Sequence, residues 1–142
     1  YGGMLDPKHD HVGIENVLMT NVAGVFFTAR AFLPHVQKET PGKIAVISSI
    51  MGSNRQSHSN APIYRASKAA ATNLARSMAV ELEPDGIAVG AYHPGWVRTD
   101  MTQGRGLVDV RESVQGLMER VQTLTIENTG TFWHMQGDPL PW

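Results

Sequence analysis

Three features of the sequence predict an α/β protein with a parallel sheet. A long run of apolar residues at helical spacing precedes a short unbroken apolar segment, the alternation repeats, and each short segment ends in polar or glycine-bearing residues. Helices alternating with fully apolar strands act as crossovers, which bring the strands parallel with right-handed connections. The 142 residues fit one domain, 1–142, because no linker or internal repeat divides them. With 42% apolar residues, three Trp, four Phe and three Tyr, the chain can build a core.

The elements follow in order. From Asp10 to Glu39, apolar residues at Ile14, Val17, Leu18, Val22, Val25, Phe26, Ala29, Phe32, Leu33 and Val36 predict one long amphipathic helix. Pro34 is expected to kink it or thin its hydrogen bonding, and Thr40-Pro41-Gly42 to stop it. The segment KIAVISS, 43–49, has an unbroken apolar centre, as in a strand covered on both faces. A polar loop, 50–61, leads to Pro62 in the first turn of a second helix, with Ser59 or Asn60 as cap. That helix runs to Glu83, where Pro84, Asp85 and Gly86 end it, and IAVGAY, 87–92, predicts another buried strand followed by HPGWVRT. Asp109 with Glu112 reads as a capping box for a third helix carrying Val110, Val114, Leu117, Met118, Val121 and Leu124. GTFWHM, 130–135, predicts the last strand.

Composition narrows the function classes. A net charge of −1, from 12 basic and 13 acidic residues spread along the chain, gives no electrostatic case for nucleic acid or an anionic membrane. The absence of cysteine removes disulfide, thiol and cysteine–zinc chemistry. No apolar run approaches the roughly 20 residues of a membrane span, and nothing resembles a signal peptide, so a soluble cytoplasmic protein is the expectation. Of the six histidines, His9 and His11 are the nearest pair, but no third ligand falls at a recognisable spacing, so no metal is expected.

The chemistry lies on the second helix. Positions 64, 68, 71, 75, 78 and 82 share one row and read Tyr, Lys, Ala, Ala, Met, Leu. A lysine on an inward row must either carry its tip out to water or have a partner that makes burial worthwhile. Helix spacing alone leaves both readings open, although that end of the helix lies near a strand's carboxyl edge, where α/β proteins place ligands.

YRASK stands after Ser49, which ends a buried strand, and Asn21 lies within the preceding helix. Together these residues resemble the short-chain dehydrogenase/reductase family. Its Y-x-x-x-K motif matches Tyr64 and Lys68, its catalytic serine Ser49, its helix asparagine Asn21, and its P-G-x-V-x-T segment Pro94, Gly95, Val97 and Thr99. The ending TGTFWHMQGDPLPW resembles the carbonyl-reductase branch related to C-factor proteins. The resemblance implies the last three strands, with their helices, of a Rossmann-like doubly wound parallel sheet. It also implies hydride transfer between NAD or NADP and a small-molecule carbonyl or alcohol. Tyr64 would move the proton, Lys68 would hold the nicotinamide ribose, Ser49 would bond the oxyanion and Asn21 would anchor a water linking Lys68 to solvent. Pro94, Gly95, Val97 and Thr99 would lie along the cofactor. The spacing makes chemical sense, because a cation within about 4 to 6 Å can lower a phenol's pKa by about 1 to 3 from its usual value near 10.

Several rivals are weighed against this reading. Ser48 is adjacent to Ser49 but points to the other side of the strand, as a structural serine would. Asn21 alone could merely satisfy backbone groups. Ser49, His93 and Asp100 permit a serine hydrolase, but no G-x-S-x-G elbow is present and Tyr64 with Lys68 stays unexplained. Trp96 suits a pocket wall, an interface or the core. The family's glycine-rich dinucleotide turn, its NAD/NADP-selecting residue and N-N-A-G are missing. The chain opens at Tyr1 with Met4 as an alternative start, so a fragment lacking the amino-terminal strands, inactive alone, is the expectation. The alternative function is a truncated, non-catalytic interaction module. Either form would be a homo-oligomer through residues 11–39 and 62–83.

Overall fold

The structure, a computed structural model, describes residues 3–7, 9–56 and 58–142; Tyr1, Gly2 and Lys8 of the opening segment and Ser57 of the loop lie outside these. The first helix is a continuous rod built in three parts: α1 (His11–Leu18), a π-helical turn (Met19–Ala23) and α2 (Gly24–Val36). The Asp10 carboxylate starts it by accepting from Gly13 N at 2.7 Å. Pro34 is accommodated inside α2, and the rod ends at Val36, short of the expected Glu39. The rod also corrects the membrane reading. Its 26 residues include a window of mean hydropathy 1.4, long and apolar enough to cross a membrane by length and composition. Asn16, Thr20, Asn21 and Arg30 break up that apolarity in the sequence, while in the fold the rod packs on the second helix and the first strand.

Three parallel strands form the sheet in the order β1 (Gly42–Ile47), β2 (Ile87–His93), β3 (Phe132–His134). Val46 lies opposite Ala91, and Ala91 opposite Phe132, so one row crosses all three strands. Against this row packs α3 (Pro62–Leu82), through Ala71, Ala75, Met78, Ala79 and Leu82. The three alanines let the helix approach the sheet closely.

The coverage expected on both faces of β1 fails at Ala45 and Ile47, the latter 45% exposed. They share the face of Lys43, and among the described residues no further strand pairs with β1, the edge of the sheet. Lys43 itself is engaged: its Nζ donates to Val121 O at 3.1 Å and Gln122 O at 2.8 Å. A cation thus sits on the carboxyl end of α4 (Val110–Gln122), where the helix dipole favours it.

Two expectations about the helices are corrected. The start of α3 is set by Ala61, fully buried with φ 51°, not by the side chain of Ser59 or Asn60. Packing of Ala61 overrides local capping chemistry. Asp109 does cap α4, accepting from Glu112 N at 2.8 Å, but the predicted apolar row Val110, Val114 and Met118 is about half exposed. The helix docks instead through small residues: Ser113 is buried with its Oγ donating to Pro94 O, and a Cβ at Gly116 would meet Met135 O at 2.6 Å. Gly86, at φ 72°, ends the turn before β2 as expected.

Candidate active site

Ser48 and Ser49 follow β1 and serve different purposes. The Ser48 hydroxyl donates to Lys68 O at 3.0 Å and pairs with Thr72 Oγ1, which also bonds Lys68 O. Ser48 therefore fastens α3 to the sheet, as its side of the strand implied. The Ser49 hydroxyl accepts from Met51 N at 3.2 Å and caps the 3-10 turn Ile50–Gly52, so its own proton is not spent in that bond. Gly52 then presses on α3, where a Cβ would lie 2.6 Å from the Lys68 carbonyl carbon. Only glycine fits this contact, which holds the loop after Ser49 beside the turn of helix bearing Tyr64 and Lys68.

The choice left open for Lys68 is settled by geometry. Its Nζ donates to Ile47 O at 3.2 Å, at the carboxyl end of β1, and stands 5.8 Å from the centroid of the Tyr64 ring. The lysine has partners, and burial lowers its pKa from the usual 10.5. Tyr64 is partly buried one turn earlier on the same row. Asn21 sits in the π-helical turn, and its Nδ2 donates to Ser67 Oγ at 3.0 Å. Ser67, fully buried, donates in turn to Tyr64 O at 2.7 Å. This links the first helix to the backbone of Tyr64 through a residue that sequence reasoning passed over. Its place three residues after Tyr64 puts it beside the apolar row of α3, but its role depends on Asn21, 46 residues away, and has no local signal. A π-helical turn at such a residue is a frequent companion of functional sites.

The segment after β2 is rigidly built. Gly95 adopts φ 83°, where a side chain would be strained and its Cβ would meet Val108 at 3.3 Å. Val97 bridges to Val108, Val97 O accepts from Thr102 Oγ1 at 2.8 Å, and Thr99 opens the 3-10 turn Asp100–Thr102. Trp96 is 52% exposed, which excludes the core role.

Among the described residues no hydrogen bond joins Ser49, His93 and Asp100. His93 packs its ring 5.2 Å from that of His134, its Nδ1 is buried with no hydrogen-bond partner among the described residues, and burial with the neighbouring imidazole depresses its pKa to about 4. Unfolded, it would titrate near 6.5. The unfolded chain therefore binds a proton that the native protein refuses, so stability holds above pH 6.5 and falls as pH drops toward 4. The loss reaches up to about 3 kcal/mol. Chemical denaturation at pH 7 and pH 4.5 should show His93→Phe losing much less stability over this interval than the parent; equal losses would contradict the assignment.

Comparison with known proteins places this geometry in a family. The short chain dehydrogenase family model matches residues 3–107. The chain is 32% identical to the C-signal protein of Myxococcus xanthus over 134 residues, 94% of this chain and 81% of that protein. It superimposes on the carbonyl reductase Sniffer of D. melanogaster with TM-score 0.89 and 28% identity, covering 100% of this chain and 62% of that one. An NADPH-bound carbonyl reductase from chicken fatty liver gives TM-score 0.86 and 30% identity, covering 100% and 63%. The chain belongs to the short-chain dehydrogenase/reductase family. It has the α/β, partial Rossmann-like parallel sheet of these carbonyl reductases and spans less than two thirds of their length.

Proposed function

We propose that these 142 residues form one domain, the catalytic part of an oxidoreductase that interconverts a small carbonyl and its alcohol. The observation that carries the reading is Lys68, half-buried, bonded to the end of β1 and set against the Tyr64 ring, on a family framework. The donor set fits one half of a dinucleotide. Tyr64 and Lys68 offer a phenol and an ammonium for ribose hydroxyls, and the segment from Pro94 to Thr99 follows the neighbouring strand β2. No glycine-rich turn in this sequence fits the pyrophosphate half. Bound NAD or NADP would supply the hydride.

The chain's own residues account for the proton. Tyr64 donates it to the substrate oxygen and takes it back in the reverse direction. Ser49, with its proton uncommitted to Met51, donates to the same oxygen as negative charge develops there. Lys68 stabilises the phenolate left behind, and Asn21 steadies the Tyr64 backbone through Ser67. Exposed Phe26, Phe27 and Phe32 on α2 and Val80 on α3 support association of copies through these helices, and also favour the second reading, a non-catalytic interaction module.

The test is NADH- or NADPH-dependent carbonyl reduction by the chain alone and by the chain joined behind the dinucleotide-binding segment of a homologous carbonyl reductase. The joined protein should turn over and the chain alone should not. A joined protein that folds and binds dinucleotide but reduces no carbonyl would overturn the catalytic reading.

A further inference from the structure

After β3 the chain turns back on itself. His134 N donates to Asp138 O at 2.8 Å, Pro139 bridges to Trp133 in the antiparallel sense, and Leu140 N donates to Phe132 O at 2.8 Å. Pro139 and Pro141 flank Leu140, so few backbone states are given up when this return is fixed. It delivers Trp142, partly buried, to the core beside α3. The Trp142 ring stands 6.1 Å from that of Phe132, tilted by 44°, and Arg76 Cζ of α3 lies 4.9 Å from its centroid. The ring contact and the cation–π contact together fix the indole.

Trp142 also meets the loop after Ser49. Ser53, buried, donates through Oγ to Trp142 O at 3.3 Å, and the same oxygen accepts from Arg55 N at 3.3 Å. Ser53 closes the 3-10 turn Ile50–Gly52, its N donating to Ile50 O at 3.0 Å, and Ser49 opens that turn. One short turn therefore has the candidate oxyanion donor at one end and a bond to Trp142 at the other. Between them Gly52 lies against the Lys68 backbone. A steric contact of that kind bounds how closely the turn approaches α3 and does little to stop it drifting away, whereas the bond at Ser53 draws it in.

We propose that the returning segment is a strap and Trp142 a positioning residue: held by Phe132 and Arg76, Trp142 grips Ser53 and so keeps in place the turn that presents the Ser49 hydroxyl. The catalytic consequence rests on the role given to Ser49 above, and the first test does not.

Native-state hydrogen exchange of the chain itself reads the seating of the turn. In Trp142→Ala the amides of Gly52 and Ser53, bonded to Ser49 O and Ile50 O, should exchange about tenfold faster or more, while Ser48 N, bonded to Tyr92 O just before the turn, should keep its rate. Trp142→Phe, which retains a ring for Phe132 and Arg76, should restore most of the protection. Should Trp142→Ala fail to fold, Arg76→Ala, at an exposed position of α3, takes its place and should speed the same two amides. In the joined enzyme Trp142→Ala should lower kcat about tenfold with KM for the carbonyl little changed, because Ser49 bonds the substrate oxygen most strongly as charge develops there. Added to Ser49→Ala, it should cost nothing further. Unchanged exchange at Gly52 and Ser53, an equal acceleration at Ser48, an unchanged kcat, or a loss that persists in Ser49→Ala would each overturn the proposal. A joined parent that reduces no carbonyl overturns the catalytic reading instead, and the exchange rates then decide the strap.

Discussion

Tyr64→Phe, placed in the joined enzyme, is expected to lower carbonyl turnover by about 10²- to 10⁴-fold while leaving the fold intact. The substitution removes one oxygen and preserves the ring that faces Lys68 Nζ at 5.8 Å. It leaves the Tyr64 carbonyl bonded to Ser67 and hence to Asn21. Melting temperature should therefore change little, and dinucleotide affinity should weaken only by the one ribose contact the phenol makes, about tenfold or less. The loss should fall on the rate with saturating substrate, because the missing proton is needed only as the carbonyl oxygen gains charge. Turnover within about threefold of the parent would mean that another group supplies the proton.

Lys68→Met should have the second largest effect, with turnover down about 10²-fold or more. Methionine keeps the length of the side chain but deletes the charge beside the phenol and the donor to Ile47 O. Burial already works against the ammonium, lowering its pKa. Removing the charge should therefore cost the fold little, about 1 kcal/mol or less, although the function depends on it. The two effects separate experimentally: a rate that collapses with unchanged melting is the expected pattern, and a rate that follows melting would assign Lys68 a structural role. With the cation gone, alcohol oxidation, which needs the phenolate, should require more alkaline solution than in the parent.

Much of this site was legible because its signals are local. Tyr64 and Lys68 declare themselves by helix spacing, Gly86 and Asp109 by the backbone positions they must occupy, and Ser49 by ending an apolar run. The features that escaped depend on tertiary contacts. The π-helical turn at Met19–Ala23 adds a residue to one turn without disturbing a periodicity read over the whole rod. Ala61 takes a left-handed conformation because the site encloses it completely, which no capping rule anticipates. On α4, Ser113 and Gly116 look like solvent-facing residues, yet they make the close contact, and Val110, Val114 and Met118 remain about half exposed. Ser67 was passed over for a similar reason, since a serine within a helix gains meaning only from what stands opposite it.

The central claim is that Tyr64 and Lys68 act as one device. The measurement that tests it most directly is the turnover of the joined enzyme carrying Tyr64→Phe, Lys68→Met and both together. Residues that work only through each other lose their effect once, so the double variant should be about as slow as Tyr64→Phe alone. Losses that multiply, with the double variant slower by the product of the two single effects, would show two independent contributions and contradict the account.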